Sequence, residues 1–157
     1  MDDPRVAPVV HSVEIARSPE DVFAYWVDLE RHAEWNPDIV SSKRETDGPT
    51  GVGSRATDVR RAAGGKQSIT YEITEHDPPR RSAFRGVNGP VRAVGTITVD
   101  PLGDGGSRVT IEIDFEGKGL VGAVVTPLVH RQARTHVPVA LQGLKERLES
   151  EPPPPAA

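Results

Sequence analysis

Cysteine is absent from the 157-residue chain, and with it go disulfides, thiolate nucleophiles, cysteine–zinc sites and iron–sulfur clusters. A chain without thiols fits any redox compartment. Aromatic residues are scarce, with three Phe, two Tyr and two Trp, so each one asks for its own explanation. Long apolar runs are missing too. The longest uncharged one, Gly119 to Val129, is well short of the about 20 residues that span a bilayer, which predicts no stable membrane insertion. The first residues, Met1-Asp2-Asp3-Pro4-Arg5, are acidic and lack the apolar stretch of a signal peptide, so a cytoplasmic protein is expected. There is no basic run either. The 19 Lys and Arg stand against 23 Asp and Glu, net charge −4, and the balance gives no support to a nucleic-acid partner.

Turn formers, in contrast, are plentiful. Glycine and proline number 15 each, while hydrophobic residues still make up 36%, enough for one globular domain at this length. That domain is expected over residues 9–149, after a flexible start (1–8) and before a disordered proline-rich tail (150–157). His11, Val13 and Ile15 alternate with Ser12 and Glu14, a strand signal. Ser18-Pro19-Glu20-Asp21 then supplies an N-cap, a proline in the first turn and an acid three residues after the cap. The spacing predicts a helix over 19–27 with Val22, Phe23 and Trp26 on one face, and a second short one over about 29–35 that ends at Asn36-Pro37. Turn signals at Asp47–Gly51, Gly64-Gly65, Asp77–Pro79, Asn88–Pro90 and Gly103–Gly106 divide the middle of the chain into strands. The alternation is clean around Ile69–Ile73, Val91–Val99 and Val109–Phe115, and weaker over 39–46, 52–60 and 81–87. From Gly119 to Glu149 the period turns helical, with Leu148, Leu144, Leu141, Val137, Ala133 and His130 on one stripe. Pro127 suits the early turns of that helix, whereas Pro138 predicts a kink. The sum is an α+β domain: an antiparallel sheet whose apolar face only the long helix can cover.

This order, with Ala16-Arg17-Ser18-Pro19-Glu20-Asp21-Val22-Phe23 after the first strand and Trp35-Asn36-Pro37 closing the second helix, resembles the SRPBCC superfamily of START-like, helix-grip proteins. Tyr71 to Arg81 (YEITEHDPPRR), Gly105 to Thr110 (GGSRVT) and Leu144 to Glu149 (LKERLE) carry the rest of the likeness, which is greatest to the polyketide cyclase/dehydrase branch. The resemblance implies a curved sheet of about seven strands that grips the long helix around a cavity. It also implies a hydrophobic small-molecule ligand, polyketide-, lipid- or isoprenoid-like, either transformed by a cyclase or dehydrase or held by a non-catalytic carrier or sensor.

The residues offer an independent clue. The inward strand faces carry small side chains, Ala93 and Gly95 on one strand, Ser82 and Gly86 beside Phe84 on another, and Ala56 on a third. They leave room for a ligand unless larger neighbours close over it. Expected ligand contacts are therefore Ile69, Ile73, Phe84, Ala93 and Gly95. Ile97, Ile111 and Phe115 continue the same faces, and the resemblance puts Trp35 near the cavity entrance.

His130, Arg134 and Tyr71 form the candidate catalytic set. His130 lies five turns before Leu148, so a straight helix aims it at the sheet, with Arg134 one turn on; a kink at Pro138 leaves both in solvent instead. A histidine there moves protons near neutral pH, and an arginine holds an enolate or carboxylate oxygen. Tyr71 needs a hydroxyl partner, ligand or protein. Asp58 shares a face with Ser54 and Ala56; inward it is a general-base candidate, and outward, the reading the weak alternation favours, a solvated charge. His32, one turn after Asp28, reads as an exposed helix pair, His76 as a turn residue and His11 as structural. No arginine falls on a clean inward strand face, Arg92 pointing outward with Val94 and Thr96, which weighs against an aromatic-cyclase version. No cofactor or metal is expected: HExxH, phosphate loops and GxSxG are all missing, and the five histidines lack ligand spacing. A monomer or homodimer is expected.

Overall fold

The computed structural model describes residues 7–62 and 65–150. The expectations for most of the N-terminal segment (residues 1–6), for Gly64 and for residues 151–157 of the tail lie outside the described residues. The chain opens with β1 (Val9–Ile15) and then α1 (Pro19–Trp26), which begins as the sequence predicts. The Ser18 hydroxyl accepts from the Asp21 amide at 3.2 Å, satisfying one of the donors a helix start leaves open, and Pro19 sits in the first turn. Val22, Phe23 and Tyr25 are the residues α1 buries. Next, α2 (His32–Trp35) is a single turn that starts three residues later than the apolar pattern suggests, because Asp28–Arg31 closes as a turn, with the Arg31 amide on the Asp28 carbonyl at 3.0 Å.

Six more strands follow: β2 (Ile39–Arg44), β3 (Arg55–Ala62), β4 (Gly65–Asp77), β5 (Arg81–Gly86), β6 (Val91–Pro101) and β7 (Ser107–Gly117). They and β1 form one antiparallel sheet in the order β1-β7-β6-β5-β4-β3-β2. The sheet curls into a half-barrel, and α3 (Gly119–Ser150) lies over it, an α+β helix-grip fold. His76, expected in a turn, belongs instead to the end of β4, beyond a register shift between Ile73 and Glu75.

Cross-strand partners share a face, so the register draws bands across the concave surface. One runs from Arg44 on β2 through Ala56 and Tyr71 to Gly86 on β5. It continues onto β6 and β7 as Ala93 and Phe115, since a Cβ on Gly86 would lie 3.3 Å from the Ala93 amide. The next band is Ile73, Phe84, Gly95, Ile113 and Val9.

Two apolar clusters share this surface. The main core joins Leu141, Leu144 and Leu148 of α3 to Val22 and Phe23 of α1 and to Ile97, Val99, Val109 and Ile111 of the sheet. A smaller one sets Leu29 on Ala56, Tyr71 and Ile73, with Phe84 beside it. Of the strands, α3 packs against β1, β7 and β6. It remains helical through both Pro127 and Pro138. Pro138 has no amide to offer the Arg134 carbonyl, and Arg134 is an exposed residue.

Candidate functional site

The concave surface holds a polar group that the sequence reading missed. Its centre is His32, read above as exposed but buried in the structure, with only 8% of its surface accessible. One turn of helix and the turn before it push the ring inward among Trp26, Trp35 and Tyr71. His32 Nε2 lies 2.8 Å from the Trp26 carbonyl. A carbonyl only accepts, so Nε2 carries a proton, and Nδ1 faces the interior. The Tyr71 hydroxyl reaches that Nδ1 at 3.4 Å, and Asp58 Oδ2 stands 3.8 Å from it.

Asp58 therefore requires a second correction. It is not the solvated charge the weak alternation favoured; it is buried on the inner face, opposite Ile69 and Ser42. Register explains this: the β2–β3 and β3–β4 pairings put Asp58 on the same side as Ala56, which is fully covered. Burial, and then the neighbouring Asp58 carboxylate, push the Tyr71 hydroxyl above the ordinary tyrosine value near 10. Tyr71 is thus held as a neutral donor.

Several polar atoms around this group have no hydrogen-bond partner among the described residues: Trp35 Nε1, Ser42 Oγ and Asp58 Oδ1. Buried polar groups are nearly always paired, and leaving one unpaired costs roughly 1–3 kcal/mol. Trp35 offers a proton, Asp58 takes one, and Ser42 does either. Rings flank them in sequence: Trp26 stacks on Trp35 at 5.1 Å, His32 on Tyr71 at 6.3 Å, and Tyr71 meets Phe84 edge-on at 5.9 Å.

A second polar point lies at the far end of the same band. His130 is buried, its ring edge-on to Phe115 at 5.9 Å, with Nε2 unpartnered among the described residues. From Tyr71 on β4 to Phe115 on β7 is three strand spacings, roughly 15 Å. Arg134, one turn after His130, is exposed. Arg44 does lie on the inner face of a strand, opposite Ala56, where no arginine was expected. Its guanidinium, however, bonds Thr46 O, Gly48 O and Thr50 Oγ1 in the following loop.

The other expected contacts divide by position. Ile69, Phe84, Ala93 and Phe115 are half-buried on the concave surface, Trp35 and Ile73 are buried beside the His32 group, and Ile97 and Ile111 sit in the main core under α3. At Gly95 the room left by a small residue is occupied, because the Phe84 ring lies where a Cβ would stand, 2.5 Å from it. At Ala93 the surface remains partly open. Among the described residues, no three His, Asp or Glu side chains converge as metal ligands, and no helix is long and apolar enough to cross a membrane.

The curled sheet and the gripping helix define a START-like, helix-grip fold. The chain belongs to the polyketide cyclase/dehydrase and lipid transport family, whose model matches residues 7–149. An uncharacterized protein of Mycobacterium tuberculosis, Rv1546, is 29% identical over 118 residues, 74% of this chain and 82% of the relative. The Zhui aromatase/cyclase from Streptomyces sp. R1128 superposes with a TM-score of 0.79 at 17% identity, covering 90% of this chain and 93% of that one. A START superfamily protein from Mycobacterium smegmatis does so with a TM-score of 0.69 at 22% identity, covering 90% and 99%. At such identities the solved structures establish the fold, and the reaction has to be argued from the site.

Proposed function

We propose that this chain binds a hydrophobic small molecule, polyketide-, lipid- or isoprenoid-like, along the concave band between Tyr71 and His130. The observation that carries the reading is the set of unpartnered buried polar atoms, Trp35 Nε1, Ser42 Oγ and Asp58 Oδ1, grouped around His32 and Tyr71 on an otherwise apolar, partly open surface. An amphipathic ligand satisfies them with one polar end: a carbonyl accepts from Trp35 and a hydroxyl donates to Asp58. Its apolar body then lies over Ala56, Phe84 and Ala93 towards Phe115, and His130 meets whatever polar atom stands about 15 Å along.

If the ligand is also transformed, in a cyclase or dehydrase step, the chemistry falls to groups already in place. Tyr71, kept neutral, donates a hydrogen bond to a developing enolate oxygen, its ring held in place against His32. His130 is the proton carrier at the other end, with Arg134 beyond it at the exposed rim. A carrier needs only the band and the polar end.

The chain's two tryptophans both belong to the site, so intrinsic fluorescence reports occupancy directly. Titration with a hydroxylated aromatic ketone or a long-chain fatty acid is expected to change it saturably. Tyr71→Phe and Asp58→Asn should each weaken binding about 3–10-fold, the worth of one buried hydrogen bond. No saturable change with either ligand class, or equal affinity in both variants, overturns the assignment of the polar end.

A further inference from the structure

The main core uses the C-terminal half of α3, and the first three turns present apolar side chains outward instead. Leu120 is 88% exposed, Val121 62%, Val124 78% and Leu128 54%. At about 100° per residue these four fall within an arc of about 100°. The face is rigidly placed: the Lys118 amide bonds the Pro90 carbonyl at 2.7 Å, and Gly122 sits against that carbonyl so closely that a Cβ has no room.

Charge singles out the same stretch. In a chain of net charge −4, no Asp or Glu occurs from Gly117 to Lys145. Lys118 just before the helix and Arg131 within the arc bracket the apolar stripe, both exposed. Glu116, immediately before, is held by Arg85 at 3.3 Å.

The geometry points to a docking face for an anionic phospholipid bilayer, the four aliphatic side chains entering at the level of the acyl chains while Lys118 and Arg131 meet headgroup phosphates. A second copy of the chain fits the face less well, because a two-fold contact through this stripe brings a cationic surface onto its own copy. The position also gives the docking a use. Phe115, half-buried, packs edge-on to His130 of the same helix, so the docking brings that end of the concave band close to the membrane. That consequence rests on the ligand-binding reading; the docking does not.

Co-sedimentation of the full chain with vesicles tests it. Vesicles of phosphatidylcholine containing about a third phosphatidylglycerol should carry the protein down, vesicles of phosphatidylcholine alone far less, and salt should release it. Leu120→Glu with Val124→Glu, both at exposed positions and so without cost to the core, should abolish sedimentation at unchanged thermal stability. Lys118→Glu with Arg131→Glu should lower partitioning at least 10-fold, at about five-fold for each charge lost. The proposal is overturned by any of three results: no sedimentation with anionic vesicles, undiminished sedimentation of the Leu120/Val124 variant, or a dimer in analytical ultracentrifugation that this variant dissociates. Because vesicle binding is read without ligand, its failure leaves the concave-band reading standing, and a failed ligand titration leaves the vesicle result standing.

Discussion

Tyr71 and His32 show how one hydrogen-bond inventory decides what a residue is. Tyr71 lies on a strand between Ile69 and Ile73, where core packing alone would account for it. What makes it a candidate for function is the neighbour 3.4 Å away, a histidine whose other nitrogen is committed to a carbonyl. A consequence follows for pH. The folded value of Tyr71 is raised, so its contribution to stability is complete below the ordinary tyrosine value near 10 and declines as pH climbs above that towards the folded value. Tyr25 is raised too, by burial first and then by its bond to Glu34, and adds to the same alkaline limb. Tyr71→Phe should therefore flatten the loss of thermal stability above about pH 10 while costing about 1 kcal/mol at neutral pH. Thermal melts across that range decide it: an unaltered alkaline limb would mean that Tyr71 is not held neutral by its surroundings.

At the scale of elements, the C-terminal part of α3 is fastened twice by features no periodicity reveals. Its C-terminal part rests on α2 through Gly143, where a Cβ would run into the Trp35 carbonyl. Because the obstacle is backbone, Gly143→Ala should lower stability by about 1–3 kcal/mol, although alanine is the better helix former. Melts of this variant beside Gln142→Ala, an exposed neighbour, check it; equal Tm values would show that the two helices are not in close contact. Glu149 fastens the end of α3 to β1's exit: it accepts from the Ala16 amide and the Lys145 ammonium, both at 2.9 Å. Those bonds, the lysine first, hold its carboxyl below the ordinary value of about 4.5. The stability it adds is thus complete above that value and lost as pH falls below it. Glu149→Gln should make the acid limb of a Tm–pH curve shallower, and an identical limb would show that the tie is not made in solution.

Most of the elements were legible in the sequence because their causes are local. The cap at Ser18, the alternation of β4, β6 and β7, and the leucine stripe of α3 each lie within a few residues of the element they specify. His32 and Asp58 were not legible, and for a shared reason. A four-residue helix has no period to read, and the inward side of β3 is set by its pairing with β2 and β4, not by the mixed residues of β3 itself. The site forms where two such weakly patterned pieces meet, so its residues looked like an exposed pair and a solvated charge. His130 was reachable only because it sits in phase with a strong stripe.

At the scale of the whole molecule, the scarcity of aromatics becomes informative. Trp26, Trp35, Tyr71 and Phe84 line one side of the grip, Phe115 marks the other end, and Phe23 and Tyr25 of α1 complete the seven. The core is divided into two clusters on one concave surface, with the polar group beside the smaller, and the ligand proposed above lies along the band that starts there. Native mass spectrometry of the full chain purified without detergent tests that claim most directly. The expected result is a co-purifying hydrophobic species that is lost on denaturation, and whose occupancy falls in Ala93→Trp, which fills the band, without loss of folding. A chain that carries no such species, and that takes up none when offered hydroxylated aromatic ketones or fatty acids, would contradict it.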